Sequence, residues 1–135
     1  MVMALLAILS AVALPRFFER NTFQERAAFD DTINAIRYAQ KLAVATNCQT
    51  QFQSTANSYQ IMTNGVCNTG AFTTPVRNPA TNQPGLTDNL NGLAINAVPA
   101  NITFFPLGNA SADATITIAD RTIVIDGQTG FVRAQ

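Results

Sequence analysis

The opening run MVMALLAILSAVAL constrains this chain more than any other stretch. It carries no charge, and Ser10 is its only polar side chain apart from the thioethers. Through Pro15, Arg16, Phe17 and Phe18 it passes into a charged helical pattern that continues to about Asn47. An apolar rod containing Leu5, Leu6, Ile8, Leu9, Val12 and Leu14 therefore feeds directly into an amphipathic one. Residues 1–14 as a helix reach about 21 Å, whereas a bilayer core of about 30 Å takes about 20 residues. A secretory signal peptide would match the length, but it needs a basic segment before the apolar run, and nothing basic precedes Val2. Three readings stay open: a buried core helix, a degenerate signal peptide, and a membrane helix whose first turn or two lies before Met1.

Pro15 lacks a backbone N–H and collides with the carbonyl four residues earlier, so it predicts a kink in the rod. The alternative is a proline in the first turn of a new helix. Thr22-Phe23-Gln24-Glu25 fits a capping box, which allows a second helix to start at Thr22 after a melted link. From there to Thr46, Phe29, Ile33, Ile36, Ala39 and Ala43 recur at helical spacing, with Tyr38 and Leu42 in a neighbouring row. That stripe needs a cover, and the β-rich remainder is the natural one. Arg26 and Asp30 stand one turn apart and can pair at little gain.

Beyond Asn47-Cys48 the periodicity changes. Gln49–Gln53 and Ser58–Thr63 alternate as two strands, and Asn64-Gly65 reads as a turn. Residues 68–101 are dense in Pro, Gly and Asn and read as mostly loop, with a short strand over Leu93–Ala97. Ile102–Phe105 is a further strand. Ala114–Ala119 and Thr122–Asp126 form a hairpin around Asp120-Arg121, and Gly130–Ala134 returns after a turn. Ile116, Ile118, Ile123 and Ile125 alternate with smaller or polar residues, the pattern of a sheet buried on one face.

Composition closes several functional classes. Eight basic residues balance eight acidic ones, so bulk charge attracts no polyanion. The absence of His removes His-dependent general bases, triads and His metal sites. Asp30 and Asp31 diverge around a helix and do not face one substrate. Asp126-Gly127 lacks the alternating oxygen ligands of a calcium loop and reads as a turn. Cys48 and Cys67 are not a CxxC pair, and their neighbourhood offers no further zinc ligands.

The segment MVMALLAILSAVALPRF resembles the N-terminal segment of type IV pilins and type II secretion pseudopilins. Pro15 matches that family's helix proline, and the family's N-terminal methylated Phe and its Glu would fall just before Met1. The stretches PRFFERNTFQERAAFDDTINAIRYAQKLAVATNCQ, SYQIMTNGVCNTGAF and IVIDGQTGFVRA are similar to the GspH/FimT class, and within it to minor pilins of the MSHA (MshC-like) kind. The resemblance implies an α+β fold, a long N-terminal helix packed on an antiparallel β-sheet head. It implies a division into 1–21, the membrane and filament-core part of the helix, and 22–135, the head (amphipathic helix 22–47, β-rich part 48–135). It further implies a structural minor subunit, held by a single pass in the inner membrane with its head in the periplasm, then packed into an extracellular pilus used for attachment. The implied partners are other pilin subunits, the inner membrane, an assembly platform and a prepilin peptidase. No catalytic site, cofactor, metal or small-molecule substrate is implied.

Two alternatives accompany that expectation: a GspH-like minor pseudopilin of a type II secretion system, and a membrane-anchored binding module such as a DNA-uptake minor pilin. FimT-like relatives bind DNA through a basic C-terminal motif. Here the tail is Gly-Phe-Val-Arg-Ala-Gln with a single Arg, and no nucleic-acid partner is expected. In an exported head, an even cysteine count without thiol-activating neighbours predicts a Cys48–Cys67 disulfide.

Overall fold

A computed structural model of the chain describes residues 2–83, 85–90 and 92–135, and the side chains of these apart from 9–21 and 86–89. The kink expected at Pro15, and the apolar contacts expected of Leu9, Val12 and Leu14, concern side chains outside the described ones. Helix α1 is a single element, Val2–Thr46, of 45 residues. It does not restart at Thr22, because the capping-box residues are themselves helical. The helix stops at Asn47, which adopts a left-handed conformation (φ 56°), the αL stop that Asn tolerates better than most residues.

Among the described residues, nine strands follow in two antiparallel sheets. The first sheet contains β1 (Thr50–Ser54), β2 (Ser58–Val66), β3 (Thr69–Pro75), β4 (Leu86–Asn89) and, after the second sheet has begun, β6 (Asn101–Phe104). Its order is β3-β2-β1-β6, with β4 also pairing β2. The second sheet has the order β5 (Ile95–Val98), β7 (Ala114–Ile118), β8 (Arg121–Ile125), β9 (Val132–Ala134).

Side-chain alternation explains the core. In the first sheet Phe52 stands directly opposite Ile61 and Ile102, and all three are fully buried. In the second, Ile116 opposes Ile123, and both are fully buried together with Ile118 and Ile125. The helix stripe Phe29, Ile33, Ile36, Ala39 and Ala43 joins the same core, with Tyr38 and Leu42 partly buried against it. Small Ala residues at 35, 39 and 43 let the helix backbone come close to the sheets. The Thr50 hydroxyl, fully buried at the start of β1, donates to the Ala39 carbonyl at 3.0 Å. A buried hydroxyl that found no partner would cost about 1–3 kcal/mol.

The strands depart from the sequence expectation in three places. Residues 68–101 hold β3 and β4 rather than mostly loop. Asn64-Gly65 lies inside β2 at a register shift, not in a turn. The chain reverses instead at Cys67-Asn68, with Val66 opposite Thr69. The side chain of Asn64 explains why the bulge holds: it is buried and its amide donates to the Gly70 carbonyl at 2.9 Å. The second hairpin turns at Ala119-Asp120, one residue earlier than expected, because Ile118 pairs with Arg121.

Candidate assembly surface and its clasp

Among the described residues of α1, packing against the head begins at Ala28. From Ala28 onward one broad face is buried, whereas Val2, Met3, Leu5, Leu6 and Ile8 at the other end are all exposed, as is Phe23. Burial of each such side chain against a partner would stabilise by about 1.5–3 kcal/mol. A row of them along one rod is therefore a surface that gains from company. Among the described residues, no helix is long and apolar enough to cross a membrane. Asp30 and Asp31 are exposed on the amphipathic half, as a solvated face requires.

What points this rod is the set of contacts holding its packed part to the head. Arg37 donates to the Val132 carbonyl at 3.3 Å, and the Gln40 amide donates to the Gly108 carbonyl at 2.7 Å and the Thr129 carbonyl at 3.4 Å. The Arg121 guanidinium lies 5.7 Å from the centre of the Phe29 ring, a cation–π contact. Gly130, at φ +70°, lets the chain pass close to Gln40 and to the Gly108 carbonyl, where an added Cβ would have no room. The turn into Gly130 is set by Asp126, whose Oδ1 accepts the N–H groups of Gln128 at 2.9 Å and Thr129 at 3.0 Å. Its carboxyl is held below the ordinary carboxylate pKa, chiefly by the Thr129 N–H, against an opposing desolvation and with further help from the Gln128 N–H, the Thr129 side chain and Arg133.

A second device closes over the helix end. Cys48 and Cys67 form a disulfide with their Cα atoms 4.9 Å apart. It joins the residue just past the αL stop to the tip of the β2–β3 hairpin. Asn68 doubles this link without covalent chemistry. Its side-chain N–H donates to the Asn47 carbonyl at 2.9 Å, and its Oδ1 accepts the Gln49 N–H at 2.9 Å. One amide thus grips the backbone on both sides of Cys48. The bonds satisfy one carbonyl at the helix end and one N–H at the start of the following strand, groups that otherwise need water.

The expected site residues divide accordingly. Leu5, Leu6 and Ile8 are exposed on the free rod, and Cys48 and Cys67 are joined. Asn68, Gln40, Arg37 and Gly130, which orient the rod, were not singled out by sequence reasoning. Among the described residues no group of three or more His, Cys, Asp or Glu side chains is placed to hold a metal ion.

Comparison with known proteins adds three findings. The model of the family described as Type II transport protein GspH matches residues 28–130. No curated protein matches the chain. Among solved structures, the chain is similar to the type IV minor pilin FimU of Pseudomonas aeruginosa strain PAO1 in two crystal forms. One gives a TM-score of 0.61 at 18% identity, over 82% of this chain and 91% of FimU. The other gives 0.64 at 20% identity, over 88% and 92%. At those identities the likeness is one of fold: a long N-terminal helix with antiparallel sheets, as described above.

Proposed function

The chain belongs to the GspH family, and from that membership we propose that it is a structural minor subunit of a type IV, MSHA-like pilus used for attachment. In this reading it is not an enzyme. The N-terminal helix holds the chain in the inner membrane with its head in the periplasm, after a prepilin peptidase has removed a leader and the new N-terminus has been methylated. An assembly platform then moves it into the filament, where the same helix packs against other pilin subunits. The observation that carries the reading is the contrast between the helix's two ends: a rod anchored by Phe29–Ala43 whose other end presents Val2, Met3, Leu5, Leu6 and Ile8 to whatever surrounds it.

The test is a triple substitution, Leu5→Ser, Leu6→Ser and Ile8→Ser, which touches no buried residue of the head. The expected result is a chain that keeps its disulfide and its strand content but is missing from sheared surface filaments. Recovery of the triple variant in filaments at the wild-type level would overturn the reading. Membership of a family of type II transport proteins favours one second reading, a minor pseudopilin of a type II secretion system. Cells lacking the chain separate the two. Loss of surface filaments supports the pilus, and intact filaments with retained secretory cargo in the periplasm support the pseudopilin.

A further inference from the structure

Two residues that strands disfavour stand side by side within β2. Asn64 is 8% exposed, and its amide donates to the Gly70 carbonyl at 2.9 Å. Its Oδ1 is buried and accepts no hydrogen bond among the described residues. Gly65 follows, and the fold does not use its lack of a side chain. Its φ lies outside the left-handed region, and an added Cβ would meet nothing nearer than the Thr73 hydroxyl at 3.6 Å, an ordinary contact. A glycine inside a strand weakens it. What this glycine supplies is chemistry. With no Cβ beside it, a glycine nitrogen reaches the side-chain carbonyl of a preceding asparagine more readily than the nitrogen of any bulkier residue.

We infer that Asn64-Gly65 is a deamidation site closed by folding and opened by unfolding, and that the modified chain cannot rebuild the β2–β3 hairpin. In the open chain the Gly65 nitrogen gives up its proton and bonds to Cγ of Asn64. The Cγ–Nδ2 bond breaks and ammonia leaves. Water then opens the five-membered imide at either carbonyl. One product is aspartate, and the other is isoaspartate, whose backbone is one methylene longer. The fold prevents ring closure. Both register shifts between β2 and β3 place the extra residue on β3, so β2 stays extended at Asn64. In an extended residue Cβ and the next nitrogen are rotated well apart about the Cα–C bond, whereas the imide needs them eclipsed. The Gly70 bond and the pairing with Phe72 hold that geometry. Neither product fits the site. Aspartate sets a carboxylate oxygen where the amide donor faced the Gly70 carbonyl, and its other oxygen inherits the unpartnered place of Oδ1. A buried charge without donors is strongly unfavourable. Isoaspartate lengthens the backbone inside a paired strand and displaces the residues beyond it, Cys67 and Asn68 included. The tip then no longer meets Cys48 and its flanking backbone as the clasp requires. Prolonged unfolding thereby becomes a one-way step, whatever assembly the chain serves.

The experiment holds the full chain in detergent and mildly alkaline buffer, either folded or unfolded in urea with the disulfide intact. Peptide mapping by mass spectrometry reads conversion of Asn64 to either product. Asn91-Gly92 repeats the same pair in the same chain and reports the chemistry in urea. The expected result is conversion of both asparagines in urea at similar rates. In the folded chain Asn64 should convert about 100-fold more slowly or slower still, since only opened molecules react. After urea is removed, the refolded fraction should be depleted in modified Asn64. Asn64→Asp should lose the hydrogen-exchange protection of the β2 and β3 amides. Gly65→Ala should keep the wild-type fold and slow the conversion of Asn64 in urea several-fold, leaving Asn91 unchanged. Equal rates at Asn64 in folded and unfolded chains would overturn the inference. So would modified Asn64 in refolded chains at its share of the urea sample, or wild-type protection in Asn64→Asp. A Gly65→Ala chain that fails to fold, or that converts Asn64 in urea at the wild-type rate, would overturn it equally.

Discussion

Opening the disulfide should cost the head about 3 kcal/mol, and the cost should be the same whichever cysteine is replaced. The bridge spans a sequence separation of 19. In the chain-entropy description a closed loop of that size restricts the unfolded chain by about 3 kcal/mol at 25 °C. That is a large part of the roughly 5–15 kcal/mol that holds a typical domain. Cys48→Ser, Cys67→Ser and the double variant all open the same loop, so all three should lose the same amount. Asn68 sharpens the test. It grips Asn47 and Gln49 through two exposed hydrogen bonds, worth together about 1–2 kcal/mol net. With the bridge intact those bonds act on loop ends already tethered. With the bridge open they are what closes the loop. Removing Asn68 should therefore cost more in the Cys67→Ser background than in the wild type, a coupling of about 0.5–1 kcal/mol for groups sharing one backbone segment. Equilibrium urea unfolding of the four chains, followed by circular dichroism under one set of conditions, supplies the cycle. Losses that differ by more than about 1 kcal/mol between the two single cysteine variants would refute the loop-closure argument, because cysteine packing and not loop entropy would then be setting the cost. Strict additivity with Asn68→Ala would refute the clasp.

Gly130→Ala should destabilise the head by about 2–4 kcal/mol, combining the left-handed backbone penalty with a clash against the Gly108 carbonyl and Gln40; a change below about 1 kcal/mol in urea unfolding would show that this crossing is looser than described. Phe52→Ala should cost about 3–5 kcal/mol, since the ring is fully buried between Ile61 and Ile102 and lies 5.3 Å from the Tyr59 ring; a melting temperature unchanged from wild type would count against this core. Asp126 has its pKa depressed in the fold, so the stability it adds is present above the unfolded carboxylate value and is lost as pH falls through the lower folded value. The Thr129 amide shift should accordingly titrate with a midpoint below that of a free aspartate and lose this titration in Asp126→Asn, and a midpoint at or above the ordinary value would refute the turn assignment.

The parts of this fold legible in the sequence are those where one residue pattern suffices. Phe29, Ile33, Ile36, Ala39 and Ala43 announce a helix with a covered face, and the alternating Ile116–Ile125 segment announces a half-buried hairpin, because burial on one face imposes a period. Strand β3, TGAFTTP, is exposed along nearly its whole length, so no period is imposed on it. It is a strand because β2 is long enough to pair with it, a condition that lies outside its own residues. Asn64-Gly65 misled for a related reason. Asn-Gly favours a turn locally, but pairing on both sides and the Asn64–Gly70 bond hold it in the strand as a bulge, and the reversal moves to Cys67-Asn68. The functional surfaces follow the same division. An uncharged run at the N-terminus is visible as composition, and two cysteines are visible by counting. Asn68 looks like any turn asparagine until the hairpin brings it beside Asn47 and Gln49. On the outer face of the second sheet, Val98, Thr115, Val124 and Arg133 form one row only through cross-strand register, set by two hairpins and one longer connection. A one-residue slip of β9 against β8 would turn Arg133 inward and Val132 outward, destroying the row and the core together. Burial of Val132 against the core therefore fixes the register that keeps Arg133 beside Val124 on the outer face, so core and outer row depend on one pairing.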